Sequence, residues 1–554
     1  MPKNKGFFRS TTFYAFWSVI ILAIVAGLLI WRNSKYKIAN KKIDQLVTVK
    51  SKGLYQISYE NLHIDEVLGN ISAENIEVVP DSLIYQSLVD QNKDPKTLFA
   101  IYVPKLLISG VKTPKALLNK EISAHVIRIQ NAKIEIRLGE SNTNNDKDST
   151  FRFREDLYRQ ILGKLKSIKA DSVILENAHV VLKNKVNETV RVVAEGLNIS
   201  FSGVAIDSTE KNESNRMLFS KDIAIECDHL DIPFKNKVYT LQVNGLSFES
   251  QKRHFHTEKI TLKPLLSESS FARANKFAKD RLDINLGNLD IWQLDGHGLL
   301  NQELIADTVI INKASIKIFR DKSYPHDSID RTHDFPQEEL MRMSTPVDIK
   351  KMIIKDSYLE YKEKNDKSDS SGKVTFFHVN TIIDNITNIP DYIRLDNEMR
   401  VVFHSSFLNQ AYLSANLRMR LNDKKGDFSL NAKMNGLDGK LLNPLLRPMA
   451  LAELSKGKIN SLQFHLDATN KQSKGELILK YENLSVKLLK KDEGKNKYKT
   501  KLLPTLAAGI ILKDSNPKNG ETRIGRIDFN RDIHRSMFNM IWKSLLTAIK
   551  QVAM

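Results

Sequence analysis

His254 and His256 stand two apart in HFHTEKITLKP. On an extended chain alternate side chains share a face, so the two imidazoles could reach one metal ion. No third ligand follows at a recognisable spacing, and surface histidines fit the pattern as well. Cys227, in IAIECDHLDI, is the single cysteine among 554 residues, which excludes an internal disulfide framework and any site built on clustered thiolates. In a strand of alternating apolar residues it reads as a packed small side chain rather than a nucleophile. The sequence contains no GxxxxGKS/T phosphate loop, no GxSxG elbow and no HExxH helix. Carboxylates are plentiful, but none is marked as half of an acid–base pair. The expectation is a protein that is not an enzyme, with no catalytic residue, metal or cofactor.

What this chain must position instead is apolar surface. RIQNAKIEI, from Arg128, has relatives in ILENAHVVL from Ile174, IINKASIKI from Ile310 and IIKDSYLEY from Ile353. In each, the apolar parity flips at the middle, so one straight strand would send the two halves to opposite faces. A hairpin with Asn131-Ala132 as its loop would pair Ile129 with Ile134 and Ile127 with Ile136, leaving Arg128 opposite Glu135. By the same rule Leu175 meets Val180 and Val173 meets Leu182 around Asn177-Ala178. Lys313-Ala314 pairs Ile311 with Ile316 and Val309 with Ile318, and Asp356-Ser357 pairs Ile354 with Leu359 and Met352 with Tyr361. These loops lack the Asn-Gly or Asp-Gly of a tight hairpin, and a bulge would keep the phase equally well. The loop positions 131 and 177 are 46 apart and 313 and 356 are 43 apart, a period that points toward stacked, quasi-linear architectures.

The composition, 41% hydrophobic with 23 Gly and 15 Pro, excludes disordered and collagenous chains. A net charge of +19 suits anionic lipid headgroups or simply a solvated lysine-rich surface. No basic helix with interleaved aromatics marks a nucleic-acid surface, and no nucleic acid is expected as a partner. Phe13 to Trp31, FYAFWSVIILAIVAGLLIW, is 19 residues without charge, long enough to cross the hydrocarbon layer. It is read as a retained anchor rather than a signal peptide, since no small-residue cleavage site follows. Lys3, Lys5 and Arg9 precede it and Arg32, Lys35, Lys37, Lys41 and Lys42 follow, so charge does not settle its orientation.

The organisation expected is a short tail over 1–12, the anchor over 13–31, and a β-rich region over 32–320. An amphipathic helix near 153–168 interrupts that region, with Leu157, Ile161, Leu165 and Ile168 at helical spacing. A polar linker or long loop occupies 321–345. A second β-rich region spans 346–499, in which VTFFHVNTIIDNI, MRVVFHSSF, AYLSANLRMRL and DFSLNAKM read as an antiparallel meander. A helical tail fills 500–554. Many one-faced strands leave an apolar face to be covered, and periodicity does not choose between a closed sandwich and an open, curled sheet with a greasy trough.

The chain resembles the AsmA-like family, membrane-anchored bacterial envelope proteins within the bridge-like lipid-transfer superfamily. The likeness starts with the N-terminal span followed by GNISAENIEVVPD. It is strongest in LNPLLRPMALAELSKGKINSLQFHLDATNKQSKGELILKYENLSVKLL from Leu442, then LPTLAAGIILKDSNP and RDIHRSMFNMIWKSLLTAIK. From about Glu140 to Ser344 only the texture is shared. The resemblance implies an all-β dominated fold: an N-terminal transmembrane helix, an elongated antiparallel β-groove with a few interrupting helices, and a C-terminal amphipathic helix. It implies single-pass anchoring in the bacterial inner membrane, the bulk of the chain in the periplasm, and conduction of phospholipids in support of outer-membrane lipid homeostasis. The groove would be lined by Ile127, Ile129, Ile134, Ile136, Val173, Leu175, Val180, Leu182, Val309, Ile311, Ile316, Ile318, Ile354 and Leu359. The alternative is an assembly factor for outer-membrane proteins with closed β-domains and no lipid transport.

In SMFNMIWKSLLTAIKQV, Phe538, Ile541, Trp542, Leu545, Ile549 and Val552 recur at spacings of three and four and define one apolar side. Such a helix would dock on the protein's own sheet, or meet a membrane surface or an outer-membrane or envelope protein partner.

Overall fold

The computed structural model describes residues 51, 53–65, 67–112, 121–139, 167–207, 216–234, 237–365, 370–491, 498–500 and 513–554. The expected anchor at 13–31 and nearly all of the helix expected at 153–168 lie outside them. Of that helix only Ser167 and Ile168 are described, and they open a strand. No helix among the described residues is long and apolar enough to cross a membrane.

The protein is all-β dominated. Its described residues form 24 strands of a large, mostly antiparallel sheet, divided between two compact units. The first ends at Glu258 and takes in Leu294–Gln302; the second holds Lys259–Gln293 and Glu303 onward. That boundary falls inside the region read from sequence as 32–320, and the polar run 321–345 sits within the second unit.

In the first unit β1 (Tyr55–Asp65), β2 (Asn70–Pro80) and β3 (Thr97–Ser109) form an antiparallel meander. Helix α1 (Ser82–Asp90) interrupts it, starting where the Asp81 carboxylate accepts from the Leu83 and Ile84 amides. β4 (Glu121–Gln130) and β5 (Lys133–Leu138) both pair antiparallel with β3 and parallel with β6 (Ser167–Asn184). β7 (Val190–Asp207), β8 (Asp222–Pro233) and β9 (Tyr239–Glu249) continue antiparallel. Strict alternation builds the core: in β5, Ile134, Ile136 and Leu138 point inward while Lys133, Glu135 and Arg137 do not. β10 (His254–Pro264) contains the boundary between the units.

The second unit holds α2 (Glu268–Ala274), β11 (Asp280–Leu286) and β12 (Leu289–Trp292); α3 (Gly296–Leu300) lies in the first unit's excursion. β13 (Leu304–Asn312) and β14 (Ser315–Asp321) both run parallel to β15 (Val347–Lys364), after a crossover that carries α4 (Pro336–Arg342). β16 (Gly372–Thr387), α5 (Pro390–Leu395), β17 (Glu398–Phe407), β18 (Ala411–Arg420) and β19 (Phe428–Met434) contain the expected meander. The short β20 (Leu437–Asp438) and α6 (Asn443–Ala450) lead into β21 (Ala452–Ala468) and β22 (Gln472–Lys491). β23 (Tyr498–Thr500), β24 (Ile524–Asn530) and α7 (Met537–Ala553) follow, so the tail read as helical also contains strand. The Tyr361 ring of β15 lies 5.9 Å from the Phe538 ring of α7, so this unit's sheet curls far enough to bring its last element beside β15.

The four repeated stretches are not hairpins. Ile129 faces Leu106 and Ile134 faces Ile101, both on β3, so β4 and β5 are successive halves of one bent strand. Arg128 pairs with Glu176, and Glu135 with Lys183 and Arg137, rather than with each other. The cause is a residue in the left-handed region at each centre: Asn131 (φ 53°), Asn177 (φ 48°), Lys313 (φ 53°) and Asp356 (φ 44°). One extra residue there shifts the alternation by one and returns both halves to the same face, the bulge alternative. Against β7, β6 slips register between Leu175 and Ala178, and against β16, β15 slips between Ile354 and Ser357.

The spacings of 46 and 43 also gain a physical meaning. Gln130 lies beside Glu176 and Asn312 beside Lys355 in parallel register, so each spacing is the length of one crossover. The copies therefore come as one creased strand pair per unit, not as an array repeating every forty-odd residues.

Candidate functional site

Each crease is held by the same set of bonds. In the first unit the Asn131 amide donates to the Glu176 carbonyl (2.9 Å) and the His179 amide to the Ala132 carbonyl (2.8 Å). In the second, the Lys313 amide donates to the Lys355 carbonyl (2.9 Å) and the Tyr358 amide to the Ala314 carbonyl (2.7 Å). The Asn177 amide donates to Asn198 Oδ1 (2.8 Å) and the Asp356 amide to Asn380 Oδ1 (3.1 Å). The Asn198 and Asn380 side chains then donate back to the Gly196 and His378 carbonyls. Asn177 Nδ2 also donates to Asn131 Oδ1 at 2.8 Å, tying the two bulges of the first unit together. A β-branched residue at 177 keeps the backbone bonds but loses the Nδ2 donation to Asn131 and resists positive φ. Asn177→Val is expected to cost about 2–3 kcal/mol in urea unfolding, and Asn177→Gly, which tolerates the backbone, less.

The creases put the expected lining residues on a shared face within each unit, with unequal cover. In the first unit Ile127, Ile129, Ile134, Ile136, Val173, Leu175 and Leu182 are buried, Ile127 to 1% exposure, and Val180 is half-buried. In the second only Val309 is fully buried; Ile311, Ile316, Ile318, Ile354 and Leu359 are half-buried. Beyond β15 the same face continues through residues not singled out in the sequence. Met352 pairs with Ile383, Ile383 with Val401, Val401 with Leu417 and Leu417 with Leu430. Their alternation was visible in the meander, but which strand follows which in register was not. Two concavities of about 680 and 470 Å³ lie elsewhere, the first against Ile393, Arg394 and Leu421, the second among charged residues such as Arg418, Asp467 and Lys474.

The C-terminal helix docks by a face rotated from the one read in its sequence. Met540, Ser544, Ala548 and Val552 form the buried stripe, Ile541, Leu545 and Ile549 are half-buried, and Phe538 and Trp542 are exposed at 59% and 39%. The reason is close approach: a Cβ on Gly525 of β24 would stand 2.4 Å from the Ala548 carbonyl oxygen. Only small side chains fit there. Ser544 Oγ and Ser473 Oγ hydrogen-bond at 2.7 Å in the contact. Gln551 accepts from the Arg526 amide at 2.8 Å, satisfying a donor of the last strand's edge, and Arg523 Nε donates to the Val552 carbonyl at the helix end (3.0 Å).

Elsewhere the chemical candidates are built into the sheet. The His254 and His256 rings lie 6.2 Å apart, and no group of three or more metal-ligating side chains occurs among the described residues. Cys227 is buried with its thiol toward the Glu195 and His229 carbonyls, and burial pushes its pKa up. His229 places Nδ1 2.5 Å from Asn244 Oδ1 and Nε2 2.9 Å from Asp231 Oδ2. Two acceptors favour the doubly protonated ring, and Asn244 first, then Asp231, raise its pKa. A raised folded-state pKa means that the stabilisation is fully present below the ordinary histidine value of about 6.5 and is lost as pH rises through the folded value. Urea midpoints compared below and above that window should therefore fall more with pH in the native chain than in His229→Gln.

The chain matches no protein-family model and no curated protein sequence.

Proposed function

We propose that this is an inner-membrane-anchored protein of the bacterial envelope, resembling the AsmA-like family, that binds phospholipids on the apolar faces of its creased sheets and conducts them in support of outer-membrane lipid homeostasis. The observation that carries this reading is the half-covered face of the second unit. Ile311, Ile316, Ile318, Ile354 and Leu359 share it, yet each keeps part of its surface exposed. Ile311 packs against the edge of the second unit's core cluster, and a run of apolar side chains that continues from such a core with part of its surface still open marks a site for an apolar ligand. The uncharged run Phe13–Trp31 supports anchoring beside a source of such ligand.

The packed face of the first unit favours a second reading, an assembly factor for outer-membrane proteins whose β-domains are closed. Mass spectrometry of lipids carried by the full-length protein after gentle extraction separates the two. Stoichiometric phospholipid is expected for the carrier, and a lipid-free protein that still assembles its partners would establish the alternative.

A further inference from the structure

On the three strands β11, β14 and β15 the register stacks side chains into rungs across one face. Ile284, Ile316 and Leu359 form one rung, and Leu282, Ile318 and Tyr361 the next. Asp280, Arg320 and Glu363 form the third. The face thus runs apolar, apolar, then charged with alternating sign. Arg320 clamps Asp280 through Nε (2.6 Å) and a terminal nitrogen (2.5 Å). Lys322 Nζ reaches Glu363 at 2.6 Å, and the Tyr361 hydroxyl donates to the same carboxylate at 2.5 Å. Beyond the crease, Leu289, Ile311 and Ile354 and then Ile291, Val309 and Met352 extend the apolar part.

The dimensions fit one amphiphile. Rungs on a strand lie roughly 6.7 Å apart, so from the charged rung the three half-buried apolar rungs reach about 20 Å, more than the roughly 15 Å that one lipid leaflet contributes to a bilayer's hydrocarbon core, before the strip runs into the buried Val309. Phe538, exposed on α7, stands beside this strip through its ring contact with Tyr361. The charged rung has both signs side by side. A purely anionic headgroup would find Arg320 and Lys322 but would also meet the exposed carboxylate of Asp280. A phosphate bearing a primary ammonium would satisfy both.

We infer that the Asp280–Arg320–Glu363 rung seats the headgroup of a zwitterionic aminophospholipid of the phosphatidylethanolamine class, phosphate toward Arg320 and Lys322, ammonium toward the exposed Asp280, acyl chain along the Ile316–Leu359 and Ile318–Tyr361 rungs, with the buried Glu363 holding Lys322 in place. This rests on the lipid-carrying function proposed above and adds the class of lipid and its polarity on the sheet.

The test exchanges full-length protein with vesicles of equal phosphatidylethanolamine and phosphatidylglycerol carrying the same acyl chains, then measures the ratio of bound lipids. The native chain should be enriched in phosphatidylethanolamine about tenfold, the scale of a charge-assisted hydrogen bond. The double variant D280N/R320Q removes both charges together, so neither is stranded, and should return the ratio to that of the vesicle. Arg320→Lys keeps the charge and the pairing with Asp280 but loses the bidentate fork, and should lower the enrichment if the double variant does not fold. Lipid bound without enrichment in the native chain, or enrichment unchanged in the variants, overturns the headgroup seat and leaves the carrier function standing. No lipid bound at all overturns the carrier function and the seat with it. Phosphoethanolamine without acyl chains displacing the lipid at equal concentration would also overturn the amphiphile assignment.

Discussion

An aspartate at Ile129 is expected to unfold the first unit, whereas the same substitution at Ile311 leaves the second unit folded and stops lipid binding. Ile129 is 4% exposed and packed in the cluster with Leu106, Ile127 and Leu175. A carboxylate there either stays charged in an apolar medium or takes up a proton, and with the lost packing the cost is on the order of 5 kcal/mol. That is comparable to the whole stability of a typical domain. Ile311 packs only against the edge of the second core cluster and is half-buried, so a carboxylate there keeps a path to water, at roughly 1–2 kcal/mol. A charge on that strip would repel an acyl chain while leaving the fold in place. Circular dichroism with urea titration reads the first effect, and lipid stoichiometry on the folded Ile311→Asp protein reads the second. Unfolding at both positions would mean that both faces are packed cores, and the carrier reading would fail.

Arg531→Leu is expected to destabilise the second unit by on the order of 4 kcal/mol. Arg531 is 7% exposed and donates to the carbonyls of Arg331, Thr332, Asn470 and Arg535, with its guanidinium 4.3 Å from the centre of the fully buried Phe335 ring. It joins the crossover before α4, the β21–β22 turn and the segment entering α7. Burial lowers its pKa, although Glu338, Asp334, Asp330 and Asp532 act in the opposite sense. Leucine keeps most of the stem's packing but leaves the four carbonyls short of a donor, each costing about 1–3 kcal/mol and not additively. Arg531→Lys should recover only part of this, because an ammonium cannot span a planar array of acceptors. The signature is local as well as global: amide exchange should rise in the β21–β22 turn and at the start of α7. A loss below about 1 kcal/mol would show that water can serve those carbonyls equally well.

The all-β character and the meander from β16 to β19 were legible because alternation with period two is a local property, and residues such as Val401, Phe403, Leu417 and Leu430 carry it without reference to any partner. The one-faced character of the repeated stretches was legible for the same reason. Ile129 and Ile134 had to share a face whether a hairpin or a bulge intervened, since parity alone demanded it.

Hairpin or bulge depended on which strand supplied the partners. Leu106 and Ile101 of β3 did so, and nothing in RIQNAKIEI encodes the position of β3. Asn131 and Asn177 tolerate positive φ, a hint compatible with either turn. The face of α7 escaped for a related reason. Phe538 and Trp542 carry the larger apolar surface, so hydrophobicity alone places them inward, yet the close approach of Gly525 to Ala548 puts the small Ser544 and Ala548 at the contact and buries the stripe from Met540 to Val552. The charged rung was likewise invisible in one dimension. Asp280, Arg320 and Glu363 are far apart in the chain, and their meeting follows from the antiparallel register of β11 with β14 and the parallel register of β14 with β15. By itself, then, the sequence determined periodicity, and so which residues of a strand face together. Which strands became neighbours, and how much of each shared face was covered, only the tertiary structure decided, because backbone pairing and close packing depend on partners distant in the chain.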